Sequence, residues 1–303
     1  MGISASPRPS RTDGRAHDDS IVEKIADHPV TEQVKDTARD ASPWIEKLGR
    51  FGYATKGVVY IIIGVLSAMA AFGAGGGTTD QRAVFSWLYG QPFGRPLLGV
   101  LIVGLIGYVV WRLVQAIVDT ENKGTDAKGI QGRGAYVVSA FAYSTLAVSA
   151  FALLMSGSGS DGDASTRDST AMVMALPFGR WIIGAIGAAL FATGLAQFYV
   201  AYKATFDDKQ RNDEMTPDQK AWLVRLGRLG FSARGVSFCI IGGFLMVAAL
   251  RANAEEAVGL GGALTTIASQ PYGQWLLGIV AIGLACYGVF MLAEARYRRM
   301  EIR

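Results

Sequence analysis

The sequence predicts an all-α membrane protein of six transmembrane helices, built as three parallel helical-hairpin repeats with short interfacial helices on the outer face. Three observations predict it. Half of the 303 residues are hydrophobic and only 18% are charged, where a soluble domain carries about a quarter. The charges gather in blocks, with long apolar runs between them. Two stretches, LGRFGYATKGVVYIIIG (48–64) and LGRLGFSARGVSFCIIG (226–242), follow one pattern, with nine of 17 positions identical and most of the rest conservative.

Six runs stand out: Gly57–Phe72, Pro96–Trp111, Gly134–Gly159, Trp181–Tyr202, Gly235–Leu250 and Pro271–Ala293. Crossing the hydrocarbon core takes about 20 helical residues. The third, fourth and sixth runs are long enough alone. The others gain length by passing Lys56, Arg112 or Arg234, whose long side chains reach the headgroups. These three residues are therefore expected at the inner ends of their helices. The central thirds of all six helices are expected to hold no ionisable group.

Ahead of the runs, residues 1–43 hold no apolar stretch of signal-peptide length and read as a cytoplasmic tail, disordered or helical in part. A short amphipathic helix over Ile21–Asp40 would use Ile21, Val22, Ile25 and Val34, with Pro29 interrupting it. Membrane repeats are expected over 44–120, 128–205 and 221–297, followed by a basic end, 298–303. Orientation follows from Lys and Arg. Arg82, Arg95, Arg167, Arg180 and Arg251 fall in the outer loops, which leaves 24 of 29 basic residues inside. Both termini are expected in the cytoplasm of a bacterial inner membrane. This asymmetry accounts for the net charge of +4 without a nucleic-acid partner.

The opening motif recurs a third time in eroded form. Residues 49–64 fall on GRGAYVVSAFAYSTLA, residues 132–147, matching Gly49–Arg50 with Gly132–Arg133, Tyr53 with Tyr136 and Tyr60 with Tyr143. The second half of the unit is QPFGRPLLG (91–99), LPFGRWIIG (176–184) and QPYGQWLLG (270–278). Parallel repeats are related by an axis along the membrane normal. Both a ring with a pseudo-threefold axis and a row satisfy the pattern. Pro92, Pro177 and Pro271 are expected at helix starts, where the missing N–H costs nothing. AVFSWLYG, TAMVMAL and ALTTIAS, just ahead of them, read as short helices on the outer leaflet. Gly49, Gly52, Gly57 and Gly64 would allow close backbone approach, with Gly227, Gly230 and Gly235 as their counterparts. Gly184, Ala188, Ala192 and Ala196 form a small-residue stripe suited to helix packing in lipid.

Taken together, G-R-x-G-[YF]-x-x-[KR]-G (Gly49, Arg50, Gly52, Gly57; Gly227, Arg228, Gly230, Gly235), Q-P-[FY]-G (Pro92, Gly94; Pro271, Gly273; Pro177 and Gly179 in LPFG) and G-L-x-x-Y resemble the bacterial family "domain of unknown function 1206". The resemblance covers about residues 44–297 and implies three tandem two-helix units. Unit two departs from the pattern, with Ser139 for the Lys/Arg and Val200 for the Gln/Glu. The family carries no assigned activity, so the resemblance implies a fold and no chemistry.

Searching for chemistry returns little. The histidines, His17 and His28, lie in the tail, so no bis-histidine haem forms in the bilayer. Cys239 and Cys286 read as isolated buried thiols. DGDASTRD (161–168) lacks the Gly and Glu of an EF-hand and reads as a solvated loop. No hydrolase, zinc-protease or P-loop motif occurs. A non-enzymatic protein without metal or cofactor is expected.

Aligning the repeats places Lys56 with Arg234 and Ser139, and Gln115 with Glu294 and Val200. An Arg234–Glu294 ion pair is expected at the cytoplasmic end, with Lys56 and Gln115 as its weaker equivalent and Arg112 nearby. It would serve as a structural clasp, or else as a gate or solute contact. Tyr60, Tyr108, Tyr143 and Tyr287 would line a polar cavity or simply pack, with their hydroxyls on backbone carbonyls. Two functions follow. One is a structural or accessory membrane protein embedded in lipid, engaging a protein partner through its tail and cytoplasmic loops. The alternative is a passive channel or carrier for a small solute or lipid along the axis between repeats.

Overall fold

A computed structural model of the chain describes residues 42–121, 124, 127–157, 162–204 and 215–298. The expected tail helix at Ile21–Asp40 lies outside the described residues. Those described form nine α-helices: α1 (Ser42–Ala71), α2 (Gln81–Tyr89), α3 (Gly94–Val118), α4 (Ala127–Ser156), α5 (Gly162–Met174), α6 (Gly179–Lys203), α7 (Pro217–Arg251), α8 (Leu260–Ala268) and α9 (Gly273–Tyr297). Six of them, α1, α3, α4, α6, α7 and α9, are long and apolar enough to cross a membrane. We call the end that holds the start of α1 and the end of α9 the proximal end, and the opposite one distal.

The long helices close into a ring. The second helix of each repeat packs on the first helix of the next: α3 on α4, α6 on α7, and α9 back on α1. The last contact excludes a row. Within repeats one and three the hairpin partners also pack, α1 with α3 and α7 with α9. In repeat two, α4 and α6 do not pack against each other. The ring is therefore open on one side.

Glycines explain both the closure and the opening. Lipid offers helices no hydrophobic drive to associate, so close van der Waals contact must hold them. A Cβ at Gly52 would fall 2.4 Å from the Tyr108 backbone N, and one at Gly230 would fall 2.6 Å from Tyr287 Cα. The same holds on the partner helices, where a Cβ on Gly283 would meet Ala233 Cβ at 2.6 Å. In repeat two these places hold Ala135, Val138 and Ala189, and Val138 is 69% exposed. Added bulk on both helices prevents the approach that the other hairpins make. Between repeats, a Cβ on Gly57 would sit 2.7 Å from the Gly288 carbonyl, and one on Gly235 would sit 3.0 Å from that of Gly194. The α3–α4 seam carries Val109 and Ala140 there and is less tightly packed.

The short helices cap the distal end. Val84, Phe85, Leu264 and Ile267 are buried in the main core, so α2 and α8 insert apolar side chains into the bundle rather than only resting on a leaflet. Asp80 caps α2 by accepting the Ala83 amide at 2.8 Å, and Asp163 on α5 accepts the Gly259 amide at 2.8 Å. The segment expected as a solvated loop at 161–168 is largely helix, from Gly162 onward, because Asp163 and Thr166 have partners there.

Two local expectations change. Pro92, Pro177 and Pro271 sit in the turn ahead of each helix, and the residue after them takes a left-handed backbone: Phe93 (φ 61°), Phe178 (63°) and Tyr272 (60°). This conformation is costly for aromatic residues, and all three copies share it. The glycine that follows is needed, since a Cβ on Gly273 would fall 2.0 Å from the Ala268 carbonyl. The stripe Ala188, Ala192 and Ala196 faces outward, while α6 packs through Ile183, Gly187 and Gly194 instead.

Replacing Gly230 with Ala should destabilise the protein by about 1–3 kcal/mol, because backbone rather than a flexible tip stands in the way. Gly243→Ala, where a Cβ meets nothing within 4 Å, should be neutral or stabilising by up to about 1 kcal/mol. Denaturant titration of both variants in mild detergent checks the contrast.

Candidate functional site

Helix length decides where the charges lie. The first helix begins 14 residues before Lys56, which is the fifteenth of 30 residues in α1; Arg234 is the eighteenth of 35 in α7. Both are mid-helix. The expectation of end-placed cations and uncharged central thirds is thereby overturned for Lys56 and Arg234, whereas Arg112 stands in the last third of α3. The apolar runs stop at these charges, but the helices do not.

A layer of cations and phenols fills the centre of the ring. Lys56 Nζ donates to the Tyr108 hydroxyl at 3.1 Å. Its ammonium also lies 4.9, 5.0 and 5.6 Å from the ring centres of Tyr108, Tyr143 and Tyr287. Arg112 Nε donates to the same Tyr108 hydroxyl at 2.8 Å. Arg234 Nη1 donates to the Tyr287 hydroxyl at 2.6 Å, with its guanidinium 4.4 Å from that ring's centre. Tyr60 meets Tyr287 edge-to-face at 4.9 Å, and Tyr108 meets Tyr143 at 4.6 Å. The Tyr108 and Tyr287 hydroxyls thus accept from cationic side chains, and Tyr60 from the Gln81 amide, in place of the bonds to backbone carbonyls expected of simple packing. Aromatic faces soften the cost of burying these charges by about 2 kcal/mol or more when water is excluded. Five of the six long helices contribute. On α6 the equivalent place is Thr193, which is exposed and donates to its own Ala189 carbonyl.

A second charged layer closes the proximal end. Glu294 pairs with Arg298 one turn later, and Arg298 reaches Glu121 at 2.7 Å. Glu121 also accepts from Tyr136 at 2.6 Å and from Gln115 at 3.2 Å, and Gln115 accepts from Arg112 at 3.0 Å. Side chains from all three repeats meet in this layer. The expected Arg234–Glu294 pair is replaced because Arg234 stands level with Tyr287. Glu294 lies seven residues, or about 10 Å along the helix, nearer the proximal end. The expected Lys56–Gln115 equivalent fails for the same reason. Glu121, Arg298 and Tyr136 were missed by sequence reasoning. The Tyr53–Tyr136 match hinted at the last, but nothing in the sequence marked the two charged loop residues.

The motif arginines act at the proximal end as caps. Arg50 donates to the carbonyls of Ala295 at 3.0 Å and Arg296 at 2.7 Å, and Arg133 donates to those of Ala116 at 2.7 Å and Ile117 at 3.1 Å. Repeats one and two thereby satisfy the helix end of the neighbouring repeat, α9 and α3 respectively. Arg228, the third copy, is exposed and makes no such bond among the described residues.

Distal to the cation layer lies a cavity of about 170 Å³, lined by Tyr60, Gln81, Arg234, Ser237, Phe238, Ile241, Leu260 and Leu284. It runs from Arg234 at mid-helix to Gln81 and Leu260, the first residues of α2 and α8. Gln81 Nε2 approaches the Tyr60 hydroxyl at 3.4 Å, and the buried Arg234 Nε has no hydrogen-bond partner. Cys239 and Cys286 are free thiols.

Fold and site together define a helical membrane protein made of three hairpin repeats around a polar centre. The family described as Domain of Unknown Function (DUF1206) matches three times, over residues 51–119, 134–204 and 229–298, and the chain belongs to it. The chain is 36% identical over 262 residues to the uncharacterized protein YxxB of Bacillus subtilis (strain 168), covering 86% of this chain and 94% of that one. No solved structure matches.

Glu294→Gln and Arg298→Gln should each cost about 3 kcal/mol, since each strands a buried partner. A double-mutant cycle between them should return about 1–3 kcal/mol of coupling, and the cycle between Arg234 and Glu294 less than about 0.5 kcal/mol. Unfolding titrations of the three single and two double variants, with Arg234→Gln as the third single, read both values.

Proposed function

We propose that the protein is a non-enzymatic, multi-pass protein of the bacterial plasma membrane, with cytoplasmic termini, whose ring binds a small solute and passes it between the two faces. One observation supports this reading: a cavity lined by Arg234 and Tyr60 lies on the distal side of the layer of cations and phenols, while the proximal layer is closed by ion pairs and hydrogen bonds from all three repeats. Ionisable groups deep in a membrane are costly and usually mark a solute path. A structural clasp needs no cavity above it. A layer sealed by Glu121, Glu294 and Arg298 would serve a carrier, or a pore, as its proximal gate.

A second reading, the accessory protein, draws on a different observation. The small-residue face of α6 points outward beside the open side of the ring, and such faces suit a partner helix in lipid.

Proteoliposomes loaded with phosphate, acetate, chloride, potassium or glycerol separate the two. The transport reading predicts saturable release of at least one solute, faster with Glu121→Gln, which loosens the closed layer, and lost with Lys56→Met. Release equal to that of protein-free vesicles for every solute and for both variants contradicts transport and leaves the accessory role.

A further inference from the structure

We propose that Arg234, together with the Tyr60 hydroxyl and the Gln81 amide, binds the head of a small amphiphilic oxyanion, a carboxylate or phosphate monoester, in the distal cavity. The inference rests on the reading that the ring holds a solute, and it specifies the chemistry of that solute.

Charge comes first. Among the described residues neither Arg234 nor Lys56 is ion-paired; the acids of the bundle interior, Glu121 and Glu294, are engaged by Arg298 in the proximal layer. Both cationic heads lie over the ring of Tyr287. The cavity wall therefore carries positive charge and no carboxylate. A cavity with an uncompensated cation in its wall favours an anion.

Donors come next. Arg234 spends Nη1 on Tyr287. The side chain is half-buried and lines the cavity; its Nε is sealed from solvent, and its Nη2, which has no hydrogen-bond partner among the described residues, is the donor left to meet a ligand. Tyr60 accepts from Gln81, which leaves its own O–H to donate. Guanidinium, phenol and amide together suit the several lone pairs of an oxyanion.

Shape completes the argument. Phe238, Ile241, Leu260 and Leu284 form an apolar wall, a surface for a hydrocarbon body rather than for a fully hydrated ion. At about 170 Å³ the space matches one ring-sized group, since a cavity of about 150 Å³ accepts benzene.

The test titrates benzoate into the purified full chain in phosphatidylcholine nanodiscs, with benzamide and benzylamine as the neutral and cationic counterparts. Benzoate should bind at least ten-fold more tightly than either, and Arg234→Gln should weaken it at least ten-fold. Arg234→Lys should retain part of the affinity. Tyr60→Phe, which keeps the ring in place, should weaken benzoate by several fold even if Arg234→Gln does not fold. Repeating the titration in discs containing phosphatidylglycerol assigns the source: competition points to a lipid headgroup, and unchanged affinity points to a dissolved anion. Equal binding of benzoate and benzamide, or a Tyr60→Phe protein with unaltered benzoate affinity, overturns the proposal. Benzoate binding without flux in the proteoliposomes would sink the transport reading and leave this site standing; flux without benzoate preference would do the reverse.

Discussion

Close backbone contact between helices is the constraint on which the rest of this structure depends. In lipid, apolar side chains gain nothing by meeting each other rather than acyl chains. The bundle is held where glycine lets one backbone touch another. Gly57 against Gly288 closes the ring between its last and first helices, and Gly235 against Gly194 joins repeats two and three. Gly52 and Gly230 draw each outer hairpin together and so bring Tyr108 beneath Lys56 and Tyr287 beneath Arg234. The charged centre exists only because these backbones come that near.

The erosion of the second repeat then acquires a structural meaning. Where repeats one and three have glycine, repeat two has Ala135 and Ala189; where they have a cation, it has Ser139; where they have tyrosine on the second helix, it has Thr193. One loss removes the packing of α4 against α6, and the others remove the polar groups that such packing would have buried. The ring opens on the side where it has least to enclose. Tyr143, the aromatic that repeat two does keep, sits on α4 and still reaches the Lys56 ammonium across the centre.

Much of the architecture was legible in the sequence, because hydropathy and repetition report on it directly. Six spans, three parallel units and the distal short helices all follow from runs and from the recurring QP[FY]G. Depth was not legible. An apolar run ends at Lys56, whereas α1 reaches back to Ser42 through residues such as Ile45, Gly49 and Tyr53, which pack on neighbours despite the charges among them. The capping role of Arg50 was not legible because its acceptors, the last carbonyls of α9, lie about 245 residues away. Pairing failed for the same reason: equivalence between repeats fixes which residues correspond, not which share a level. The repeated tyrosine of G-L-x-x-Y was the better signal, since Tyr108 and Tyr287 are the groups the buried cations bond.

An experimental structure of the protein in lipid nanodiscs, with oxyanion present, tests the central claim most directly. Lys56 and Arg234 should stand at mid-depth on Tyr108 and Tyr287, with α4 and α6 apart and non-protein density against the Arg234 guanidinium in the distal cavity. A centre filled by apolar side chains, with Arg234 drawn down to Glu294 at the proximal end, would contradict it.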